Sequence, residues 1–102
     1  MLKLTRKQYK QLRFIIGRYG EYFQIMKAIE ECSELSQALC RVVNETCEKG
    51  NFDKKIVNMI DEIADVAIMI EQLKIIFHCH DQVNERIDFK INRQLERIKA
   101  GC

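Results

Sequence analysis

Between Lys27 and Leu39 the chain reads KAIEECSELSQAL, which crowds Glu30, Glu31 and Glu34 into five positions. Further along, NMIDEIADVAIMIEQLKIIF carries Glu62 and Asp65, with Asp61 beside them, inside an otherwise apolar run. Carboxylates three residues apart share one face of a helix. On an isolated surface helix such pairs repel by roughly a few tenths of a kcal/mol and are simply solvated. Two pairs set against apolar surroundings pose a harder electrostatic problem, because a cluster without a counter-charge drives some of its carboxyls toward protonation. A hard divalent cation removes that repulsion. Mg²⁺ prefers oxygen ligands and typically binds through a few carboxylates together with substrate phosphates.

The elements that must position these acids are helices. Proline is absent and the four glycines fall at positions 17, 20, 50 and 101, so punctuation is sparse and suits helix ends. Thr5 with Gln8 three residues on predicts a capping box that opens a first helix running through about Arg18. A second helix is expected from about Glu21 to Cys47, closing near Gly50. Asn51 or Asp53 caps a third, from about Lys54 to Phe77, and Asp81 starts a fourth that reaches about Lys99. The second helix has an apolar stripe at Ala28, Cys32, Leu35, Leu39 and Val42, spaced for a buried face, with Lys27, Glu31 and Glu34 on its flank and Glu30 further round. The third is apolar around most of its circumference, which predicts burial on several sides. A short connection favours antiparallel packing. Counted from Gly50, Glu34 lies sixteen residues before the turn and Glu62 twelve after it, about one helical turn apart in depth, so Glu31, Glu34, Glu62 and Asp65 can converge. The expectation is one all-α domain over residues 1–102, a four-helix-type bundle completed by oligomerisation.

The order Glu30-Glu31-x-x-Glu34 followed by Glu62-x-x-Asp65 resembles the EExxE…ExxD signature of the MazG-like all-α nucleoside triphosphate pyrophosphohydrolases. KAIEECSEL and DEIADV are similar to the text around those motifs, and the likeness covers roughly Gln24 to Leu73. It implies Mg²⁺-dependent cleavage of a nucleoside triphosphate between its α and β phosphates, with Mn²⁺ as a substitute metal, giving a nucleoside monophosphate and pyrophosphate. It also implies that Glu31, Glu34, Glu62 and Asp65 hold the metal, while Glu30 orients from outside or serves as a base for the attacking water. KINR near the C-terminus resembles the basic element that follows the second motif, which marks Lys90 and Arg93 as phosphate contacts. Family members of this length assemble their bundles across subunits, so a dimer or tetramer is expected.

Other features bound the reading. Arg86, Lys90, Arg93 and Arg97 share one face of the last helix, beside an apolar face of Ile87, Ile91, Leu95 and Ile98. Lysines and arginines near a helix C-terminus also suit the helix dipole, a solvated alternative to phosphate binding. Lys27 can contact phosphate or pair with Glu31 at i+4, and pairing is favoured. His78-Cys79-His80 lies too close in sequence to close a zinc site without further donors and reads as a helix-end loop. Neither histidine follows a glutamate by three residues, so a di-iron bundle is disfavoured. Five cysteines without a CxxC pair read as thiols of a reducing compartment. No apolar run reaches the roughly 18 residues that span a bilayer, and the N-terminus lacks the apolar core of a secretory signal; a cytoplasmic protein without membrane contact is expected. With 17 Lys+Arg against 15 Asp+Glu the net charge is +2, which disfavours nucleic acid as a partner. The competing reading is a non-catalytic helical oligomer, a regulator that binds nucleic acid through Arg6, Lys7, Lys10 and Arg13 of its first helix and the basic face of its last.

Overall fold

A computed structural model describes residues 3–44 and 49–101. They form four helices and no strand: α1 (Arg6–Tyr19), α2 (Glu21–Asn44), α3 (Lys49–Ile76) and α4 (His80–Lys99). The all-α expectation holds.

Local chemistry explains the helix ends. The Gln8 amide donates to Thr5 Oγ1 at 3.1 Å and the Thr5 amide to Gln8 Oε1 at 2.8 Å, closing the capping box that starts α1. Gly20 ends α1 at φ 95, a backbone angle that costs glycine nothing. Phe77, His78 and Cys79 separate α3 from α4, and His78 turns the chain at φ 52. The histidine-rich segment is therefore a helix-end turn, as its spacing suggested. One boundary differs: α3 begins at Lys49, so Gly50, Asn51 and Asp53 lie inside it rather than turning or capping the chain. The absence of proline lets the helix extend backward through Gly50, whose cost in a helix interior is only about 1 kcal/mol. The expected end of the second helix at Cys47 lies outside the described residues.

The α2/α3 hairpin is the frame of the molecule, and α1 packs on both of its helices. Its seam is made of small and polar groups. Ala38, 1 % exposed, and Ala28 let the two backbones approach, and Gln24 Nε2 donates to Gln72 Oε1 at 2.6 Å within the buried layer. This revises the expected apolar stripe of α2. Gln24, Ala28, Glu31 and Ala38 are buried, whereas Cys32 and Leu39 are exposed and Leu35 and Val42 half-buried. The helix is thus rotated so that its acidic flank, not its largest apolar side chains, meets α3.

α4 behaves differently from the other helices. Val83, Asn84 and Ile87 are half-buried near its start, and every residue from Asp88 to Gly101 is exposed. Among the described elements its backbone approaches only α3. The chain accordingly has a radius of gyration of 16.9 Å, against about 13 Å for a compact domain of this length. Its accessible surface is 8182 Å², about 2,200 Å² more than a folded monomer of 12.1 kDa presents.

Because the α2/α3 seam closes over alanine, Ala38→Leu should lower stability by about 1–3 kcal/mol through overpacking. A denaturant midpoint unchanged at matched protein concentration would contradict this account of the seam.

Candidate metal centre

Antiparallel pairing of α2 and α3 sets the register of the acids. Glu31 on α2 and Glu62 with Asp65 on α3 meet across the hairpin.

Two overlapping groups result. Carboxylate oxygens of Glu31, Glu62 and Asp65 lie within 4.8 Å of one another, and so do those of Glu30, Glu31 and Glu34. Glu31 belongs to both. All five acids expected at the site are therefore gathered, with Glu31 between the two groups rather than four equivalent ligands around one point. Glu30, which the helical wheel turned away, still brings an oxygen to the second group from an exposed position.

Glu31 is the buried member, 6 % exposed. Its Oε1 faces Lys27 Nζ at 3.3 Å, the i+4 pair expected from the sequence, and Lys27 also reaches Glu30 Oε1 at 3.7 Å. Its Oε2 is buried without a hydrogen-bond partner, and so is Oε2 of Glu62. A buried carboxylate oxygen left without a donor carries the full cost of its desolvation.

The site's titration records the same strain. Repulsion from Glu31 raises the pKa of Glu34, helped by burial and by Glu62 and Glu30, while Lys27 opposes the shift. Asp65 stays open to solvent on one side, yet burial of its carboxyl, the charge of Glu31 and a hydrogen bond with Glu31 raise its pKa too. Lys27 is held protonated above its usual value by the hydrogen bond to Glu31 and the charges of Glu30 and Glu31. Lys27 also lowers the proton affinity of both Glu34 and Asp65, opposing the shift.

Lys90 and Arg93 are not brought here within one chain. Both lie on the exposed part of α4, where the Arg93 and Arg86 guanidinium groups sit 5.7 Å and 4.6 Å from the centre of the Phe89 ring. A second ionic cluster was not anticipated. Buried Glu71 accepts from Lys74 Nζ at 3.0 Å and from the Tyr9 hydroxyl at 3.2 Å, tying α1 to α3. Burial and the charge of Glu71 raise the Tyr9 pKa. Its signal in the sequence is Glu71 and Lys74 at i and i+3 inside the most apolar stretch of the chain, where an unpaired charge would be costly.

The raised carboxyls bind protons more tightly folded than unfolded, so metal-free stability should fall as pH rises from the ordinary carboxylate range through the raised values of Glu34 and Asp65. A cation that binds only the folded chain should offset this loss, most strongly at the upper end of that window where protons no longer compete. Thermal unfolding in chelator and in Mg²⁺ across that range should diverge with pH, and Glu31→Gln should flatten both curves. Identical curves with and without Mg²⁺ would remove the case for a cation.

The chain matches no protein-family model, no curated protein and no solved structure in comparisons with known proteins.

Proposed function

We propose that this chain is a Mg²⁺-dependent nucleoside triphosphate pyrophosphohydrolase of the MazG-like all-α kind, which cleaves between the α and β phosphates to release a nucleoside monophosphate and pyrophosphate. The observation that carries the reading is the buried Glu31 carboxylate, whose unpartnered oxygen shares one locus with Glu62 and Asp65. A donor set made only of carboxylate oxygens suits a hard cation such as Mg²⁺ or Mn²⁺ rather than a thiolate- or imidazole-seeking metal.

In this reading Glu31, Glu62 and Asp65 hold the metal and Glu34 completes the ligand set from the neighbouring turn of α2. The bound metal supplies neutralisation of the triphosphate and a lowered pKa for attacking water. Glu30, exposed beside Glu31 and paired with Lys27, would orient the attacking water from outside the metal site or act as its base. Lys27 limits repulsion among the acids and fixes the rotamer of Glu31 by holding its Oε1. No covalent nucleophile is required, because positioning and charge neutralisation carry most of a phosphoryl transfer. Lys90 and Arg93 act as phosphate contacts only if assembly or substrate brings α4 to the acids, so the enzyme works as a homo-oligomer. No helix among the described residues is long and apolar enough to cross a membrane, which suits a nucleotide-processing enzyme of the cytoplasm.

A screen of canonical and modified NTPs and dNTPs with Mg²⁺ should release pyrophosphate, and orthophosphate as first product would contradict α–β cleavage. Glu62→Gln and Asp65→Asn should each reduce turnover by roughly 100-fold or more, the scale lost when a group that stabilises developing charge is removed, while helicity by circular dichroism persists. Full activity in both variants would sink the site. Tight nucleic-acid binding that weakens steeply with salt and ignores chelator would favour the regulator instead.

A further inference from the structure

The net charge of +2 conceals a division along the chain. Residues 1–20 hold six of the seventeen Lys and Arg and none of the fifteen Asp and Glu, which leaves eleven cations against fifteen acids, a net −4, for the remaining 82 residues. Five of the six, Arg6, Lys7, Lys10, Arg13 and Arg18, stand on α1, and all five are exposed. The other three helices each carry four or more acids. At about 100° per residue, Lys7, Lys10, Phe14 and Arg18 occupy an arc of roughly 80° opposite the buried Leu12 and Ile16, with Arg6 and Arg13 beyond its edge.

Apolar groups accompany this basic face. Phe14 is 73 % exposed, and beside it runs a furrow of about 620 Å³ lined by Leu4, Lys7, Lys10, Phe14, Ile15 and Ile68, with no acid in its walls. The other exposed apolar side chains lack this signature. Ile60 and Ile63 adjoin Asp61, Glu62 and Asp65, the hollow at Ile29 has no charged lining, and α4 mixes both signs, so charge names no partner for them.

We propose that α1 binds the surface of an anionic lipid bilayer, lying along the headgroups with Phe14 set among them. About four to eight Lys and Arg on one amphipathic helix suffice to attract a protein to acidic lipids, and an aromatic ring with aliphatic neighbours settles at the boundary of headgroup and acyl chain. A helix need not span a bilayer to contact one: α1 keeps Leu12 and Ile16 packed on α2 and α3 while its outer face meets the lipid. The net −4 of the rest of the chain turns it away from the same surface, which fixes the orientation. A single-stranded nucleic acid would stack a base on Phe14, yet it gains nothing from Leu4, Ile15 and Ile68. Attachment through α1 is independent of the acids shared by α2 and α3, so neither turnover nor its absence decides it.

Co-sedimentation of the full chain at about 0.15 M salt should show binding to phosphatidylcholine vesicles that contain phosphatidylserine and none to phosphatidylcholine alone, with release at about 1 M salt. Lys7→Gln combined with Lys10→Gln should weaken binding roughly 25-fold, about fivefold for each charge lost. Phe14→Ser should weaken it without changing its dependence on salt. Arg97→Gln combined with Lys99→Gln removes the same charge from α4 and should bind as the parent does. All five positions are exposed, so each variant should stay helical by circular dichroism, and the parent's choice between the two vesicles needs no variant. Failure to bind the acidic vesicles, equal binding to both kinds, or equal loss from the α1 and α4 pairs would overturn the inference, as would capture by a single-stranded oligonucleotide in preference to the vesicles.

Discussion

The burial of one carboxylate organises this molecule. Glu31 sits in the seam between α2 and α3, one oxygen held by Lys27 at 3.3 Å and the other without a protein donor. Taking a carboxylate out of water is expensive unless it is paired and hydrogen-bonded, so the seam around it is built to tolerate the cost. Ala28 and Ala38 bring the helices close, Glu62 and Asp65 arrive from α3 at the same level, and their crowding raises the proton affinity of Glu34 and Asp65. The crowding of these acids is unfavourable for the bare helix pair, and a cation such as the one proposed would relieve it.

Placing the acid in the seam has a consequence for the rest of the surface. A helix can present only one face to its neighbour. With Gln24, Ala28, Glu31 and Ala38 turned inward, Ile29, Leu39 and Val43 are turned out. The interior is correspondingly thin: six hydrophobic residues are buried among those described, alongside Gln24, Glu31, Glu71, Gln72 and Lys74. The buried polar groups other than Glu31 satisfy one another, Gln24 with Gln72 and Glu71 with Lys74 and Tyr9. Such a layer specifies the relative placement of α1, α2 and α3 more than it stabilises them. Large apolar side chains are correspondingly exposed on every helix, among them Phe14 on α1, Ile29 on α2, Ile60 and Ile63 on α3 and Leu95 on α4.

How much of this was legible in the sequence follows from what each signal depends on. The capping box at Thr5 and Gln8, the Gly20 break and the turn at His78 are local, and local chemistry announces them. The gathering of Glu31, Glu34, Glu62 and Asp65 was legible because helical spacing and antiparallel pairing leave few registers, whereas the approach of Glu30, which the wheel turns away, was not. Nor was the start of α3, since Asn51 and Asp53 are good caps that the helix passes through. The inward face of α2 was misjudged for a related reason. Hydrophobic periodicity reports which side chains avoid water, not which neighbour covers them, and Cys32 and Leu39 belong to a surface that one chain leaves open. Lys90 and Arg93 illustrate the same limit: their shared face is legible, but helical periodicity does not say whether that face meets the acids, and within one chain it does not.

The separation between acids and bases on this chain can be weighed physically. The triphosphate of the proposed reaction carries several negative charges, and Lys27, the cation that opposes the raised pKa of Glu34 and Asp65, is already committed to Glu30 and Glu31. On the proposed function, a substrate approaching the bare acids would meet net repulsion, and a cation held by Glu31, Glu62 and Asp65 would relieve it by offering the phosphates a positive locus. Such an ion would also give the buried oxygens of Glu31 and Glu62 the partner they lack.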